Sequence, residues 1–491
     1  MTVAALAGIA VVLVLAVIMG TVRPRRYTSV AEFYVAARAV RPWRNGAAIG
    51  AEFTGAAVCL GLAGLIATHG APMLWYPVGA AAGFVVVLAL VVAPLRRSGT
   101  FTLPDFAEWR LGSARLRRFT TCWVLGIGLL FLVAQFQAAG IVTRMLTGLP
   151  PWAGWAAVAG TAACVTLAGG MGSVTSVQAS QFWVKLVAFL GVGLALWCTW
   201  HCGQLPAEGL SGGYGSGDQS LAGVLTVLLA CALGTMGLPQ VVVRVYAAPD
   251  GRGARRSIVA AQVLLGVFAV VPPLYGILGN VHFPGAGGEE VVLLLPSRML
   301  PGVVGNMLTG VLSAGAFAAF LATSCGVLGA VSGAVSGAVS ACVARPGVRS
   351  FRTSLAGVTV GALVLTATSV PVGSVELVLA AFSLSAATFC PLLVLGIWWR
   401  RLTAPGAVAG FAAGGGLTAV LVGLEWVGVK PFVPPAVGVP LAFAVMVMIS
   451  LLTPGRIPAG VAAMMARMHL PEPAAGPLID RSSREGDRSS S

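Results

Sequence analysis

The amino-acid sequence predicts an all-α integral membrane protein. Hydrophobic residues make up 57% of the 491 residues and charged residues only 9%. The mean hydropathy of +0.92 also lies far outside the range of soluble domains. A helix needs about 20 apolar residues to cross roughly 30 Å of hydrocarbon. The chain therefore has room for a dozen or more spans and no sizeable soluble domain.

Uninterrupted apolar runs predict about thirteen transmembrane helices. Each run is long enough to cross the hydrocarbon layer alone or with a short interruption. The predicted spans cover residues 3–22, 45–69, 72–95, 119–147, 152–169, 177–200, 220–248, 257–280, 302–342, 354–370, 376–398, 404–425 and 433–452.

The two ends of the chain differ from its middle. Residues 1–22 lack a basic region before the apolar run and a small-residue cleavage site, so we expect an extra, retained transmembrane helix. Two further transmembrane helices are expected within residues 404–452. Residues 454–491 are poor in apolar side chains, which predicts a disordered cytoplasmic tail.

Arginine placement predicts how the protein is oriented in the plasma membrane. Thirty basic residues against fifteen acidic ones give a net charge of +15, and 28 of the thirty are arginines. The arginines cluster in short loops after odd-numbered spans, while the loops after even-numbered spans carry mostly acids. Since cytoplasmic loops are rich in Lys and Arg, we expect the N-terminus outside and the C-terminus in the cytoplasm. This pattern excludes nucleic acid as the expected partner and leaves the lipid bilayer.

Glu52 is the first candidate for a functional residue. It lies near the middle of an otherwise uncharged stretch, residues 45–68. A carboxylate at bilayer depth costs several kcal/mol unless it faces a bundle interior or a watery cavity. Glu52 therefore either holds an ion or proton, or is a structural acid that accepts hydrogen bonds from a broken helix; the first interpretation is favoured.

Two predicted spans are interrupted at matching places. Spans two to eleven divide into two sets of five, and the first span of each set has glycines near its middle: residues 50–55 in one and residues 234–239, ending in Pro239, in the other. Proline and glycine favour unwinding there. Paired interruptions at corresponding positions indicate a midplane binding site in an inverted-repeat transporter, although single glycines also serve close helix packing.

The residues of these segments resemble the sodium:solute symporter family, and within it the cation/acetate (monocarboxylate) symporters. The resemblance covers about residues 32–410. It depends on the shared order and spacing of several short motifs. These are residues 32–38, 45–57, 99–106, 132–135, 169–171, 233–244 and 398–407.

The resemblance implies a LeuT-like core of two inverted repeats of five helices, here residues 45–398, with repeats at about 45–200 and 220–398. It also implies a sodium ion between spans two and nine. A hard cation prefers several oxygen ligands, and unwound carbonyls supply them without added charge. Carried over by position, the cation-binding residues are Gly50, Glu52, Phe53, Ala319, Ala322 and Thr323.

A substrate cavity for a short carboxylic acid needs a small apolar wall and donors from a half-helix N-terminus. Gln135 and Gln178 could equally hydrogen-bond between helices, and without the family resemblance Thr323 would be read as bonding its own helix. The candidate substrate-binding residues are Thr54, Gln135, Gln178, Thr235 and Met236.

The expected function is cation-coupled symport of a small organic anion, such as acetate or another short monocarboxylate, by alternating access. Ala322 stands where many sodium-coupled members have a hydroxyl, and Gln178 where many have Asp, so sodium and the proton both stay open as coupling ion. The alternatives are a transporter of proline or sugar and a non-transporting sensor. No cofactor is expected, and no cluster of catalytic residues indicates an enzyme.

Overall fold

The computed structural model describes residues 2–22, 35–201, 221–283, 288–340, 348–368, 372–429 and 433–470. Within these ranges all regular structure is helical. A helix satisfies its own backbone groups, as hydrocarbon requires. In chain order the helices are α1 Thr2–Thr21, α2 Pro42–Phe53, α3 Leu62–His69, α4 Trp75–Leu90, α5 Val92–Ser98, α6 Leu103–Leu111, α7 Ala114–Thr147, α8 Pro151–Thr199, α9 Leu221–Gly234, α10 Pro239–Tyr246, α11 Gly251–Phe268, α12 Val271–His282, α13 Glu290–Met299, α14 Val303–Ser340, α15 Val348–Thr368, α16 Ser374–Trp398, α17 Ala404–Gly410, α18 Gly416–Trp426, α19 Pro434–Leu452 and α20 Val461–His469.

Ten helical segments of the described chain are long and apolar enough to cross a membrane. Two further helix pairs pass the same test together but are sharply bent, which allows up to twelve spans. These bent pairs are the two spans for which the sequence predicts an interruption. The protein is thus a multi-pass membrane protein.

The predicted number of thirteen spans counts α8 as two helices. At about 1.5 Å per residue, its 49 residues would extend roughly 70 Å, more than twice the hydrocarbon thickness. Gly170 interrupts this length with φ 48° and ψ −155°, a backbone conformation that glycine tolerates. Residues 151–169 and 171–199 therefore run in different directions, while the number thirteen itself stays a prediction.

Helix α14 lies at the centre of the molecule. It packs against α8, α1, α7 and α15, and most of its apolar window is buried inside the protein. Small residues permit this packing because they let helix backbones approach closely. At the crossing of α14 with α1, a methyl group added to Gly8 would overlap the carbonyl oxygen of Gly310.

A short segment before α14 packs against α3. The helix α13 begins at Glu290, and the preceding Glu289 accepts a hydrogen bond at 3.1 Å from the backbone N–H of Ser374, at the start of α16. A methyl group added to Gly64 of α3 would overlap the Gly288 carbonyl oxygen. Residues 288–299 thus connect α3 with α16.

The expected disordered tail is wrong for its first part. Within residues 454–491, α20 is an ordered helix that packs on α5. Met465 and Met468 are buried there, and Arg97 donates to the carbonyls of Met468 and His469 at 3.2 and 3.3 Å. Two methionines three residues apart give this helix one apolar side, a signal that the overall polarity of the segment conceals.

Several residues used to predict orientation, among them Arg23, Arg25 and Arg345, lie outside the described residues, as do residues 471–491. The predicted orientation of the two termini stays a prediction.

Candidate functional site

The first helix interruption lies between α2 and α3. Helix α2 ends at Phe53, Thr54 leaves the helical conformation with φ −87° and ψ 60°, and the two halves are bent by 63°. After the break the chain forms a π-helical turn, Ala57–Gly61, which leads into α3. A Cβ atom at Gly55 would lie 2.7 Å from Thr323 Oγ1 and 2.8 Å from Gln135 Oε1. Only glycine fits where this break meets its neighbours.

The last carbonyl groups of α2 are bonded by side chains. A helix C-terminus leaves carbonyl oxygens without partners inside the helix. Here Thr54 Oγ1 donates to Gly50 O at 2.7 Å, and Thr323 Oγ1 donates to Glu52 O at 2.9 Å. The Ala51 oxygen accepts from Lys185 at 2.7 Å. Donors within the protein therefore satisfy the carbonyl groups at this break.

The second interruption separates α9 from α10. The two halves are bent by 40°, with a short tight turn at Thr235–Gly237 and extended backbone at Leu238. Pro239 begins α10, where its missing N–H costs nothing. Ser385 Oγ donates to the Gly234 carbonyl at 2.7 Å, so α16 satisfies a carbonyl at the end of α9.

Aromatic side chains connect the two breaks. The ring of Phe53, at the end of α2, lies 5.3 Å from that of Phe84 and 5.7 Å from that of Phe382. A methyl group added to Gly234 would overlap the backbone carbonyl of the same Phe382. Phe382 thus contacts both broken helices.

Glu52 forms a buried ion pair with Arg244, which lies on α10 just after the second break. Arg244 Nη2 and Nε approach Glu52 Oε1 at 2.9 and 3.1 Å, and each side chain is 1% exposed. Gln178 donates to the same oxygen at 2.8 Å and accepts from Arg244. Thr175 accepts from Arg244 at 2.5 Å. The positive charge of Arg244 therefore compensates the negative charge of the Glu52 carboxylate inside the protein.

Lys185 is a second buried cation beside the first break. It lies on residues 171–199 of α8 and is fully buried. Its ammonium group donates to the carbonyl oxygens of Ala51 and Thr54, each at 2.7 Å. A cation at a helix C-terminus is stabilised by the helix dipole. The end of α2 therefore already contains one positive charge.

Gly50, Glu52 and Phe53 lie in the last turn before the first break, and Thr323 is hydrogen-bonded to it. Ala319, Ala322 and Thr323 are buried on α14. The Ala322 carbonyl, however, accepts from Gln178 at 2.6 Å. Of the carbonyls expected to face the ion, that of Gly50 accepts from Thr54 Oγ1, and the Thr323 hydroxyl donates to the Glu52 carbonyl. The sodium-binding role of Gly50, Glu52, Phe53, Ala319, Ala322 and Thr323 stays a prediction.

A small cavity lies beside Thr54. Its volume is about 80 Å³. Phe53, Thr54 and Tyr76 contribute to the wall, which is otherwise mainly apolar, and Gln262 lies at its edge. The Gln262 Oε1 atom is buried without a hydrogen-bond partner among the described residues. The cavity offers a small apolar space with a few polar groups.

The other expected substrate-binding residues lie outside the lining of this cavity. Gln135 accepts from the backbone N–H of Ala56 at 2.9 Å, and Thr235 donates to Cys231 O within its own helix. Met236 is buried in the second break. Gln178 belongs to the Glu52–Arg244 cluster. Their role in substrate binding stays a prediction.

Lys185 and Arg244 lie at the site although neither is among the predicted site residues. Both are charged residues inside apolar runs, and the cost of a buried charge that singles out Glu52 applies to them as well. Among the described residues, no group of three or more His, Cys, Asp or Glu side chains is placed to hold a metal ion.

The chain is similar to known membrane transport proteins. The model of the sodium:solute symporter family matches residues 33–196 and 215–414. The chain is 27% identical over 413 residues to the uncharacterized symporter YwcA of Bacillus subtilis, covering 79% of this chain and 80% of that one. It is also 27% identical over 471 residues to a monocarboxylic acid transporter of Corynebacterium glutamicum, covering 84% of each.

Solved structures share the fold at low sequence identity. A Na⁺-coupled sialic acid symporter in a substrate-bound, outward-open state matches with a TM-score of 0.73 and 13% identity over 91% of this chain and 97% of that one. The nucleobase-cation-symport-1 family transporter MHP1 matches with a TM-score of 0.56 and 12% identity, over 89% of this chain and 98% of that one.

The helical fold with its paired broken helices is that of LeuT-like membrane proteins, which confirms the predicted fold class. Within this class, the chain belongs to the sodium:solute symporter family. The family and the structural neighbours are transporters and not enzymes, and they support cation-coupled symport of a solute across a membrane.

Proposed function

We propose that this protein takes up a short monocarboxylate together with a cation. The cavity beside Thr54 is the observation that supports this choice most directly. At roughly 10–15 Å³ for each water-sized position, its 80 Å³ holds about five to eight such positions. That space fits a ligand of four to six heavy atoms, such as acetate, propionate or pyruvate. A sugar needs a much larger cavity.

The chemistry of the wall suits a small acid. Phe53 and Phe84 bound the apolar part, where a methyl group would lie. Thr54 Oγ1 and the amide of Gln262 are the neighbouring polar groups, and an amide side chain can present either its oxygen or its NH₂ group. Lys185 donates to the carbonyl oxygen of Thr54, a residue that lines the cavity, at 2.7 Å. The monocarboxylic acid transporter of C. glutamicum supports the same substrate class.

Transport would follow alternating access. In this proposal, the broken helices hold the solute and the cation near the midplane, and movement of one repeat against the other exposes them to either side. We further propose that the N-terminus lies outside and the C-terminus in the cytoplasm of the plasma membrane, as the arginine-rich loops favour.

Counterflow in proteoliposomes tests the proposed substrate class. Vesicles with purified protein are loaded with unlabelled acetate, propionate, pyruvate, proline or glucose and diluted into the labelled compound. We expect transient accumulation for the short monocarboxylates only. Accumulation of proline or glucose with none for the acids would overturn the substrate class, and Phe53→Trp, which fills the cavity, should abolish the signal.

A further inference from the structure

Helices α5 and α20 are joined by two arginines, each of which binds the backbone of the other helix. Arg97, near the end of α5, donates to the Met468 and His469 carbonyls at 3.2 and 3.3 Å, and these belong to the last turn of α20. Arg467 Nε of α20 donates to the Arg97 carbonyl at 3.1 Å. The C-terminus of a helix leaves carbonyl oxygens without partners and attracts cations. Each helix therefore caps the C-terminal end of the other.

Helix α5 also holds the second broken helix. The side chain of Arg96 is buried, and its Nε donates to the Ala248 carbonyl at 2.6 Å, while its Nη2 donates to the Pro249 carbonyl. Both carbonyls follow closely on the end of α10 at Tyr246. Adjacent side chains of α5 thus have different partners: Arg96 binds the residues after α10, and Arg97 binds α20.

The turn after α5 holds the segment that precedes the first broken helix. Arg38 donates to the Gly99 carbonyl, and α2 begins shortly afterwards at Pro42. In the first turn of α2, Asn45 donates to the Arg244 carbonyl of α10 at 2.9 Å, so α2 begins on the same face of the protein on which α10 ends. Both half-helices on this face are therefore connected to α5, one through the segment before it and the other through the residues after it.

Helix α20 is too short to be stable alone. It contains nine residues, Val461–His469, and isolated helices shorter than about 12–15 residues are marginal in water. Its buried residues are Met465 and Met468. The helical order of α20 therefore depends on its contact with the rest of the protein. It has two states, a docked helix and a released, unfolded segment.

Like charges oppose the docked state. A Cβ atom at Gly99 would lie 2.5 Å from Arg467 Nη2, and Gly99 is the residue whose carbonyl binds Arg38. Burial lowers the pKa of Arg38, and the positive charge of Arg467 lowers it further. Within the described ranges neither arginine has a carboxylate within ion-pair distance. Repulsion between the two guanidinium groups thus offsets part of the contact energy and makes α20 easier to release.

We propose that α20 is a latch on the face where α2 begins and α10 ends: docked on α5, it holds these two half-helices together, and its release allows them to separate. Alternating access requires a transporter to open on one face at a time. A docked α20 would therefore favour the state that is closed on this face, which is the cytoplasmic one in the proposed orientation. The latch does not depend on which solute the protein carries.

Hydrogen exchange of the purified protein in lipid nanodiscs, followed by mass spectrometry, tests the latch without a substrate. Arg467→Gln should release α20, so we expect amide exchange in α20, α2 and α10 to rise at least tenfold. Exchange in the opposite half-helices, α3 and α9, should stay within twofold of wild type. Arg456→Gln is the matched control, because it removes the same charge from an exposed residue just before α20, and it should exchange like wild type.

Met468→Ala provides a second route to release that changes no charge. This variant should reproduce the pattern of Arg467→Gln, and Leu470→Ala, at an exposed position, should not. A similar rise in all four half-helices would show that α20 only adds general stability. A rise in α20 alone would show that its release is not passed on to the broken helices. Either result would overturn the proposal, as would wild-type exchange throughout both release variants.

Arg38→Met distinguishes the latch from a loss of stability, because it should change two segments in opposite directions. Without the charge that faces Arg467, α20 should dock more tightly and exchange at least threefold more slowly. Without its hydrogen bond to Gly99, α2 should exchange faster. Faster exchange in both segments would contradict the proposed repulsion. Counterflow bears on a separate claim: failure of every monocarboxylate would refute the proposed substrate class and leave these exchange results unaffected.

Discussion

Glu52 and Arg244, separated by 192 positions in the chain, meet at 2.9 Å in the interior of the protein. Glu52 lies in the last turn of the first broken helix, and Arg244 lies in the half-helix that follows the second break. One ion pair therefore ties the two interrupted helices to each other. The pair engages one oxygen of this buried acid, Oε1, while Glu52 Oε2 is buried without a hydrogen-bond partner among the described residues.

Removing one partner of this pair should destabilise the protein strongly. Breaking a buried ion pair leaves an uncompensated charge and costs about 3–5 kcal/mol. We expect this loss for Glu52→Leu and for Arg244→Met, and a smaller loss for the double variant than for either single one. Unfolding of the purified variants by heat and by denaturing detergent measures the difference.

The partly exposed pair of Arg117 and Glu108, with atoms 2.8 Å apart, provides the control for that cycle. Exposed pairs contribute about 0–1 kcal/mol, so the same double-mutant cycle should give little coupling there. A loss in the double variant equal to the sum of the two single losses would show that the two side chains act independently.

Replacing Gly326, which lies beside the Glu52–Arg244 pair, should destabilise the protein. A methyl group at this position of α14 would overlap Glu52 Oε1 and approach Gln178 Nε2 at 2.7 Å. Overpacking of this kind costs about 1–3 kcal/mol, so Gly326→Ala should lower Tm and impair transport. Gly329, one turn later on the same helix, is the control.

An added methyl group at Gly329 meets nothing closer than a Thr166 methyl at 3.9 Å. Gly329→Ala should therefore leave stability unchanged or raise it by up to about 1 kcal/mol, because alanine favours a helix. Similar behaviour of the two alanine variants would contradict the proposed contact of Gly326 with the pair.

Glu289 should make stability depend on pH. Burial raises the pKa of this carboxyl to about 7, although the hydrogen bond from Ser374 opposes the shift. The folded protein then retains a proton that the unfolded chain loses above about pH 4.5. Stability is full below that pH and falls as pH rises towards 7 and beyond.

The expected loss between pH 5 and pH 8 is on the order of 2 kcal/mol, because one pKa unit corresponds to about 1.4 kcal/mol and partial exposure weakens the effect. Glu289→Gln should flatten this part of the Tm–pH curve. Glu290→Gln, which changes the exposed neighbouring acid, should leave the slope as it is. An unchanged slope in Glu289→Gln would assign the pH dependence to other groups.

Helix α20 should contribute to stability through Met468. This side chain is fully buried against the rest of the protein, whereas Leu470 is 63% exposed. Truncating a buried methionine costs about 2–5 kcal/mol, so Met468→Ala should lower Tm clearly and Leu470→Ala should not. Identical Tm values for wild type and Met468→Ala would mean that α20 does not stay docked on α5.

The sequence predicted the fold class and both helix interruptions because each leaves a local signal. Long apolar runs specify spans, and the glycines around Glu52 and Pro239 mark backbone that does not stay helical. The site was predicted only in part. Which groups meet across 192 positions depends on tertiary packing, so the pairing of Glu52 with Arg244 left no local pattern.

Other differences have equally specific causes. The hydrogen bonds of Lys185, Thr323 and Gln178 at the first break depend on side-chain reach and direction, which the sequence does not show. The order in α20 depends on two methionines in a segment whose average polarity predicts disorder. In that segment a few individual contacts outweigh the general pattern.

The close crossing of Gly8 with Gly310 has a consequence for biosynthesis. Helix α1 is synthesised long before α14, so during that interval it lies in the bilayer without the groove into which it finally packs. The contact between α1 and α14 forms only after α14 has been synthesised and the two backbones meet. A bulkier residue at Gly8 would therefore impair assembly at a late step. It would prevent α14 from packing against α1, which is inserted much earlier.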